Sequence, residues 1–246
     1  MIDIINDVPG PRYCKIIATC LRDRVHGNAG TWPGHRQTDL SHTIDGIYKM
    51  ISMHIQLDIK YPPGANMDTI IVNNVVDTEL IATTSFENVR IINRPNIGGS
   101  FGAYMEVFQN TKANYDYYIF TEDDVLIGGT TNYIQLMHDM MNINTNTGFL
   151  ALIGLGQPTH AHGGVGMVSR NLLDATYDNT NPFLFEGPYN RQRSCNNEID
   201  FTNTIQRVTG KSVYTHSTTS WDLQNLCIDY TTLLTDPKYA TILENL

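Results

Sequence analysis

Glu122-Asp123-Asp124 sets three carboxylates in succession behind the aromatic and aliphatic run Tyr115-Asp116-Tyr117-Tyr118-Ile119-Phe120. Adjacent carboxylates raise one another's pKa unless a cation stands between them. Oxygen ligands of this kind suit Mn²⁺ or Mg²⁺, which take one or two carboxylates and complete their shell with water and a substrate's phosphates. An acidic triplet can also decorate a solvated rim. A position at the carboxyl end of a buried strand favours the metal, because open α/β sheets bind ligands outside those ends.

Three further groups could join this chemistry. In Asn96-Ile97-Gly98-Gly99-Ser100-Phe101-Gly102-Ala103 the glycines let backbone approach a ligand, and a helix beginning there favours anions. The run is neither GxGxxG nor GxxxxGK[ST], which excludes a dinucleotide fingerprint and a P-loop. In Cys195-Asn196-Asn197-Glu198-Ile199-Asp200, Asn196 or Asn197 is expected to cap a helix continuing through Ile199, Thr202, Ile205 and Val208. Glu198 then falls in the first turn, either as a charge that only favours the helix dipole or as a general base. Of the histidines, His160 and His162 lie in a glycine-rich loop, whereas His216, after the strand-like Ser212-Val213-Tyr214, could complete a metal site.

Positioning these groups requires alternating strands and helices. Residues 13–20, 68–74, 89–93, 115–120 and 148–153 read as strands, rich in β-branched and aromatic residues. Residues 40–57 carry apolar side chains at helical spacing and stop at Pro62-Pro63-Gly64. Phe101, Tyr104, Met105 and Phe108 make a second helical stripe, and residues 132–141 a third. The alternation predicts an α/β fold with a mostly parallel central sheet flanked by helices. The expected organisation is a single domain over 1–246. A Rossmann-like half spans about 13–155, a looser substrate-facing half about 156–220, and a helical tail 221–246.

Composition bounds the function. The chain has 246 residues, 41% hydrophobic, with 16 basic against 25 acidic side chains and a net charge of −9. That length and apolar content support a substantial core, and the acidity argues against a nucleic-acid partner. The longest apolar stretch, 149–155, is too short for a transmembrane segment. Cys14, Cys20, Cys195 and Cys227 form no CxxC or zinc spacing and read as thiols in a reducing compartment. With no Asn-x-Ser/Thr and no signal-like start, the expected location is cytoplasmic.

In order, these pieces resemble the GT-A fold glycosyltransferases, nearest in style to inverting family 2, over roughly residues 13–220. Ala18-Thr19-Cys20-Leu21-Arg22 is similar to the family's first strand and nucleoside-holding turn, implicating Thr19 and Arg22. Asn73 or Asn74 stands where the family has a base-reading Asp. Asn96-Ile97-Gly98 is similar to its Asn-x-Gly, implicating Gly98. Glu122-Asp123-Asp124 is similar to the DXD metal motif: Asp124 is the foremost metal ligand, while Glu122 and Asp123 serve the ribose or bind through water. Gly163-Gly164-Val165-Gly166-Met167-Val168-Ser169-Arg170 resembles the acceptor segment. Glu198 falls on the family's catalytic Asp, with Asp200 in reserve.

The resemblance implies Mn²⁺- or Mg²⁺-dependent transfer of a sugar from a nucleoside-diphosphate donor, a UDP-sugar foremost, to a carbohydrate hydroxyl with inversion. Arg191 or Arg193 would assist the leaving diphosphate. A sugar-nucleotide nucleotidyltransferase and a non-catalytic glycan-binding module are the alternatives.

Overall fold

The computed structural model describes residues 10–22, 43–82, 86, 89–143, 146–155, 160–161, 164–179, 191–215, 226–228 and 230–246. β1 (Arg12–Thr19) is buried from its second residue onward, as a strand covered on both faces must be. α1 (Ile44–Lys60) starts where the Thr43 hydroxyl accepts from the Gly46 amide. It ends where Pro62 and Pro63 forbid another turn. β2 (Asn66–Val75), β3 (Arg90–Pro95), α2 (Gly99–Thr111) and β4 (Tyr117–Glu122) follow.

Next come β5 (Leu126–Ile127), α3 (Tyr133–Ile143) and β6 (Thr147–Ala151), then the two-residue β7 (Gly154–Leu155) and β8 (His160–Ala161). β9 (Gly166–Ser169) and α4 (Arg170–Asn179) lead to α5 (Arg191–Thr209) and β10 (Ser212–Thr215). β11 (Cys227–Ile228), α6 (Tyr230–Thr235) and α7 (Pro237–Glu244) complete the described chain.

The central sheet has seven strands in the order β10-β6-β9-β4-β1-β2-β3. All run parallel except β9, which is antiparallel to both β4 and β6. This is the α/β fold that the alternation predicts, a mostly parallel sheet flanked by helices. From β1 the chain winds outward through β2 to β3, then returns to place β4 on the other side of β1. The order therefore reverses between β1 and β4, and the crevice outside their carboxyl ends is the topological switch point.

Side-chain alternation along β1 and β4 sorts the core into two faces. Cys14, Ile16 and Ala18, with Tyr118 and Phe120, face α2 and α5 and meet Phe101, Tyr104, Phe108, Phe149 and Phe201. Ile17 and Ile71 face Ile47, Ile51 and Ile55 of α1. Ile119, Leu150 and Met167 meet Ile134 and Met137 of α3. Each such apolar side chain taken fully out of water contributes about 1.5–3 kcal/mol.

Three expectations are corrected. The helix carrying Glu198 begins at Arg191, so Asn196 and Asn197 lie inside it and do not cap it, and Glu198 is two turns in, beyond the reach of the N-terminal dipole. Within the glycine-rich segment, Gly166–Ser169 is not irregular chain but the reversed strand β9, buried from Gly166 to Val168. Gly166 is required there because a Cβ would strike the Leu150 carbonyl oxygen across the ladder. The tail is not wholly helical, since β11 pairs with β5 before α6 begins. Among the described cysteines, Cys14, Cys20 and Cys227 form no disulfide, and burial pushes Cys227 up to about 12.

Candidate functional site

The carboxyl ends of β1 and β4 meet at the switch point, with Ala18 paired to Glu122. Beyond that pair the chain turns through Glu122-Asp123-Asp124-Val125, closed by the Val125 amide donating to the Glu122 carbonyl at 3.1 Å. Asp123 and Asp124 are the inner residues of this turn. The Asp123 amide donates to the Ala18 carbonyl at 3.0 Å, tying the turn to β1.

The three acids have different surroundings. Asp123 is 4% exposed, and its Oδ2 accepts from the Thr19 hydroxyl at 2.6 Å, a bond that spans the switch point. Glu122 continues the β4 alternation toward α2, where the Ser100 hydroxyl donates to its Oε1. Ser100 lies in the first turn of that helix, whose dipole also favours the charge. Asp124 is half-buried, and among the described residues nothing hydrogen-bonds its carboxylate. A charged group left unbonded at the mouth of a crevice is what a cation could use.

Gly98 opens α2 in the left-handed conformation, φ 81°, with no side chain capping the helix. Gly102 lets the Asn96–Gly98 turn lie against the helix: a Cβ there would overlap the Ile97 carbonyl oxygen and come within 3.0 Å of an Arg94 terminal nitrogen. Arg94 thus brings positive charge to the start of α2, donating to the Asn74 side-chain oxygen at 2.6 Å. Burial lowers its proton affinity, and Glu106 opposes that.

Asn73 has both of its N–H donors taken, none being left for a base edge. It is fully buried; its amide nitrogen donates to the Thr78 carbonyl and the Asn93 side chain, each at 2.9 Å, and its oxygen accepts from the Leu21 amide at 2.9 Å. Its geometry is that of a brace linking β1, β2 and β3. Arg22, at the bend after β1, keeps its Nε buried without a hydrogen-bond partner. That leaves a donor for a ligand beside Thr19.

Glu198 reaches the same region from α5. It is 7% exposed, one helical turn before Phe201, which packs against Phe101, Phe120 and Phe149 at centroid distances of 5.3, 6.4 and 5.4 Å. Tyr104, fully buried and stacked on Phe120 at 4.4 Å, reports the convergence. Burial pushes its phenol well above the ordinary 10, and the charges of Glu122, Asp124, Glu198 and Asp123 push it further. One hydroxyl therefore feels all four acids. Asp200, two residues on and about 200° round the helix, is exposed and does not join them.

His216 and His162 lie outside the described residues, as do the side chains of His160, Arg191 and Arg193. Among the described residues no three His, Cys, Asp or Glu side chains form a ready-made metal cage. Sequence reasoning missed Arg94, Tyr104 and His54, whose Nε2 lies 3.2 Å from the Glu122 carbonyl oxygen. Only His54 left a trace, as an imidazole in an otherwise apolar stretch of α1.

No family model matches the chain, and no curated protein matches it in sequence. Among solved structures, a cytidylyltransferase from Leptospira borgpetersenii serovar Hardjo-bovis (strain JB197) is 14% identical with a TM-score of 0.46, the match covering 90% of this chain and 82% of that one. A protein assigned as a nucleotide-diphospho-sugar transferase from Desulfovibrio desulfuricans G20 is 12% identical with a TM-score of 0.44, covering 95% and 94%. Likeness at that level carries no functional argument. No helix among the described residues is long and apolar enough to cross a membrane.

Proposed function

We propose that the chain is a metal-dependent glycosyltransferase, moving a sugar from a nucleoside-diphosphate donor, a UDP-sugar foremost, to a carbohydrate hydroxyl with inversion. The observation that carries this reading is Asp124, a carboxylate at the switch point with no hydrogen bond among the described residues, with the buried Glu198 near enough to act on the same Tyr104 hydroxyl.

The donor set fits Mn²⁺ or Mg²⁺ in one particular way. Asp123 Oδ2 and Glu122 Oε1 accept from Thr19 and Ser100, so Asp124 would be the foremost protein ligand, with diphosphate and water completing the shell. Bound there, a divalent cation neutralises charge on the leaving diphosphate.

The chain's own residues supply the remainder. Thr19 and Arg22 border the nucleoside side of the crevice. Arg94 and the uncapped amides of α2 add positive potential where a diphosphate would lie. Glu198 takes the proton of the acceptor hydroxyl as its oxygen attacks the anomeric carbon. The sugar–diphosphate bond breaks on the opposite face, so the configuration inverts. The aromatic packing around Phe201 holds α5 rigid, as a base with a fixed line of approach requires.

The test is a screen of nucleotide-sugars with Mn²⁺ and oligosaccharide acceptors. Release of nucleoside diphosphate with inverted product supports the proposal. Pyrophosphate release from a sugar phosphate and a nucleoside triphosphate replaces it with nucleotidyl transfer. Sugar binding without donor cleavage replaces it with a glycan-binding module.

A further inference from the structure

The acidic turn is held from behind by a side chain with no part in the proposed reaction. His54 sits on α1 and is fully buried. Its Nε2 lies 3.2 Å from the Glu122 carbonyl oxygen, the same oxygen that accepts the Val125 amide and closes the turn. A carbonyl only accepts, so Nε2 carries the proton and donates.

Nδ1 is then a bare acceptor, and it is buried without a hydrogen-bond partner. An unpartnered buried nitrogen is a net cost. A leucine at this point on the buried face of α1 would avoid it, so packing does not account for the residue. What an imidazole adds over leucine is bonding to the backbone of the acidic turn, at Glu122 and also at Asp123.

The consequence falls on Asp124. Thr19 grips Asp123 and Ser100 grips Glu122, but no side chain orients Asp124 among the described residues. Its direction is set by the backbone of the turn.

We infer that His54 is a positioning residue, locking the carbonyl that closes the Glu122–Val125 turn and thereby aiming Asp124 into the crevice. Its value to the chemistry rests on the reading of Asp124 as the cation's ligand.

The test compares His54→Leu, which removes the donor at similar volume, with His54→Gln, which keeps an N–H at similar reach. Amide hydrogen exchange at Val125 reads the turn, and calorimetric titration of Mn²⁺ in the presence of UDP reads its consequence, both on the full chain. His54→Leu is expected to weaken Mn²⁺ binding by about tenfold or more and to lower Val125 protection by about tenfold. His54→Gln is expected to recover both, which restored packing alone would not do.

Wild-type protection at Val125 in His54→Leu overturns the inference. So does a loosened turn with unchanged Mn²⁺ affinity. Should His54→Leu not fold, His54→Asn, whose shorter amide falls short of Glu122, replaces it: Asn behaving like Gln overturns the inference. A wild-type protein that binds neither Mn²⁺ nor UDP, yet loosens at Val125 in His54→Leu, supports the turn lock and sinks the glycosyltransferase reading instead.

Discussion

Asp123 and Asp124 are neighbours in the chain with opposite surroundings, so neutralising them separates binding from stability. Asp124→Asn is expected to cut turnover by about a hundredfold or more while the thermal midpoint stays near wild type. Thr19→Val strands the buried Asp123 oxygen and is expected to cost about 1–3 kcal/mol in urea unfolding. Glu198→Gln is expected to lower kcat by about a hundredfold with Mn²⁺–UDP affinity retained. A variant that loses affinity and rate together would remove Glu198 from the role of base.

His54 also links stability to pH. Burial, with the Lys15 charge adding to it, holds the imidazole's pKa well below the ordinary 6.5. The unfolded imidazole keeps that ordinary value, so below about pH 6.5 the unfolded state binds a proton that the native state does not. The stability is complete above that pH and falls with acidification by up to about 1.4 kcal/mol per pH unit from this group. Urea unfolding at several pH values between about 5 and 7.5 is expected to show a shallower slope in His54→Gln than in wild type.

At the scale of elements, β1 through β4 and the helices between them are legible in the sequence because each obeys one period. Ile16-Ile17 and Ile70-Ile71-Val72 mark strands covered on both faces, and Ile47, Ile51 and Ile55 mark a helical stripe. The start of α5 is not legible: Asn196-Asn197 imitates a cap, while the first turns, Arg191-Gln192-Arg193-Ser194, carry no apolar signal. β9 is hidden by its glycines, which read as loop although Gly166 is there for close strand contact. The site splits in the same way. The acidic turn and the glycine turn are local and can be read, whereas Arg94, Tyr104 and His54 join it only through tertiary packing. Gly102→Ala tests one such contact: the overlap with Ile97 is expected to cost about 1–3 kcal/mol in urea unfolding.

Across the whole molecule, the net charge of −9 means that the proposed phosphate recognition would have to come from local features. The binding edge gathers them: Arg94, Arg22, the start of α2 and the crevice at Asp124 all lie where β1 to β4 end. The division expected near residue 155 is not a division of the sheet, because β9 and β10, from the later stretch, are built into the same sheet as β1 to β4.

That interleaving constrains how the polypeptide can be made. While a ribosome is still releasing residues before 166, β4 and β6 have no strand to join them, and the row of amides and carbonyls along β4 stands open. Productive assembly must therefore wait for a short glycine-led segment to thread backward between them. A nascent chain stalled after residue 155 is expected to go to chaperones and to the pellet, with no folded half left in solution.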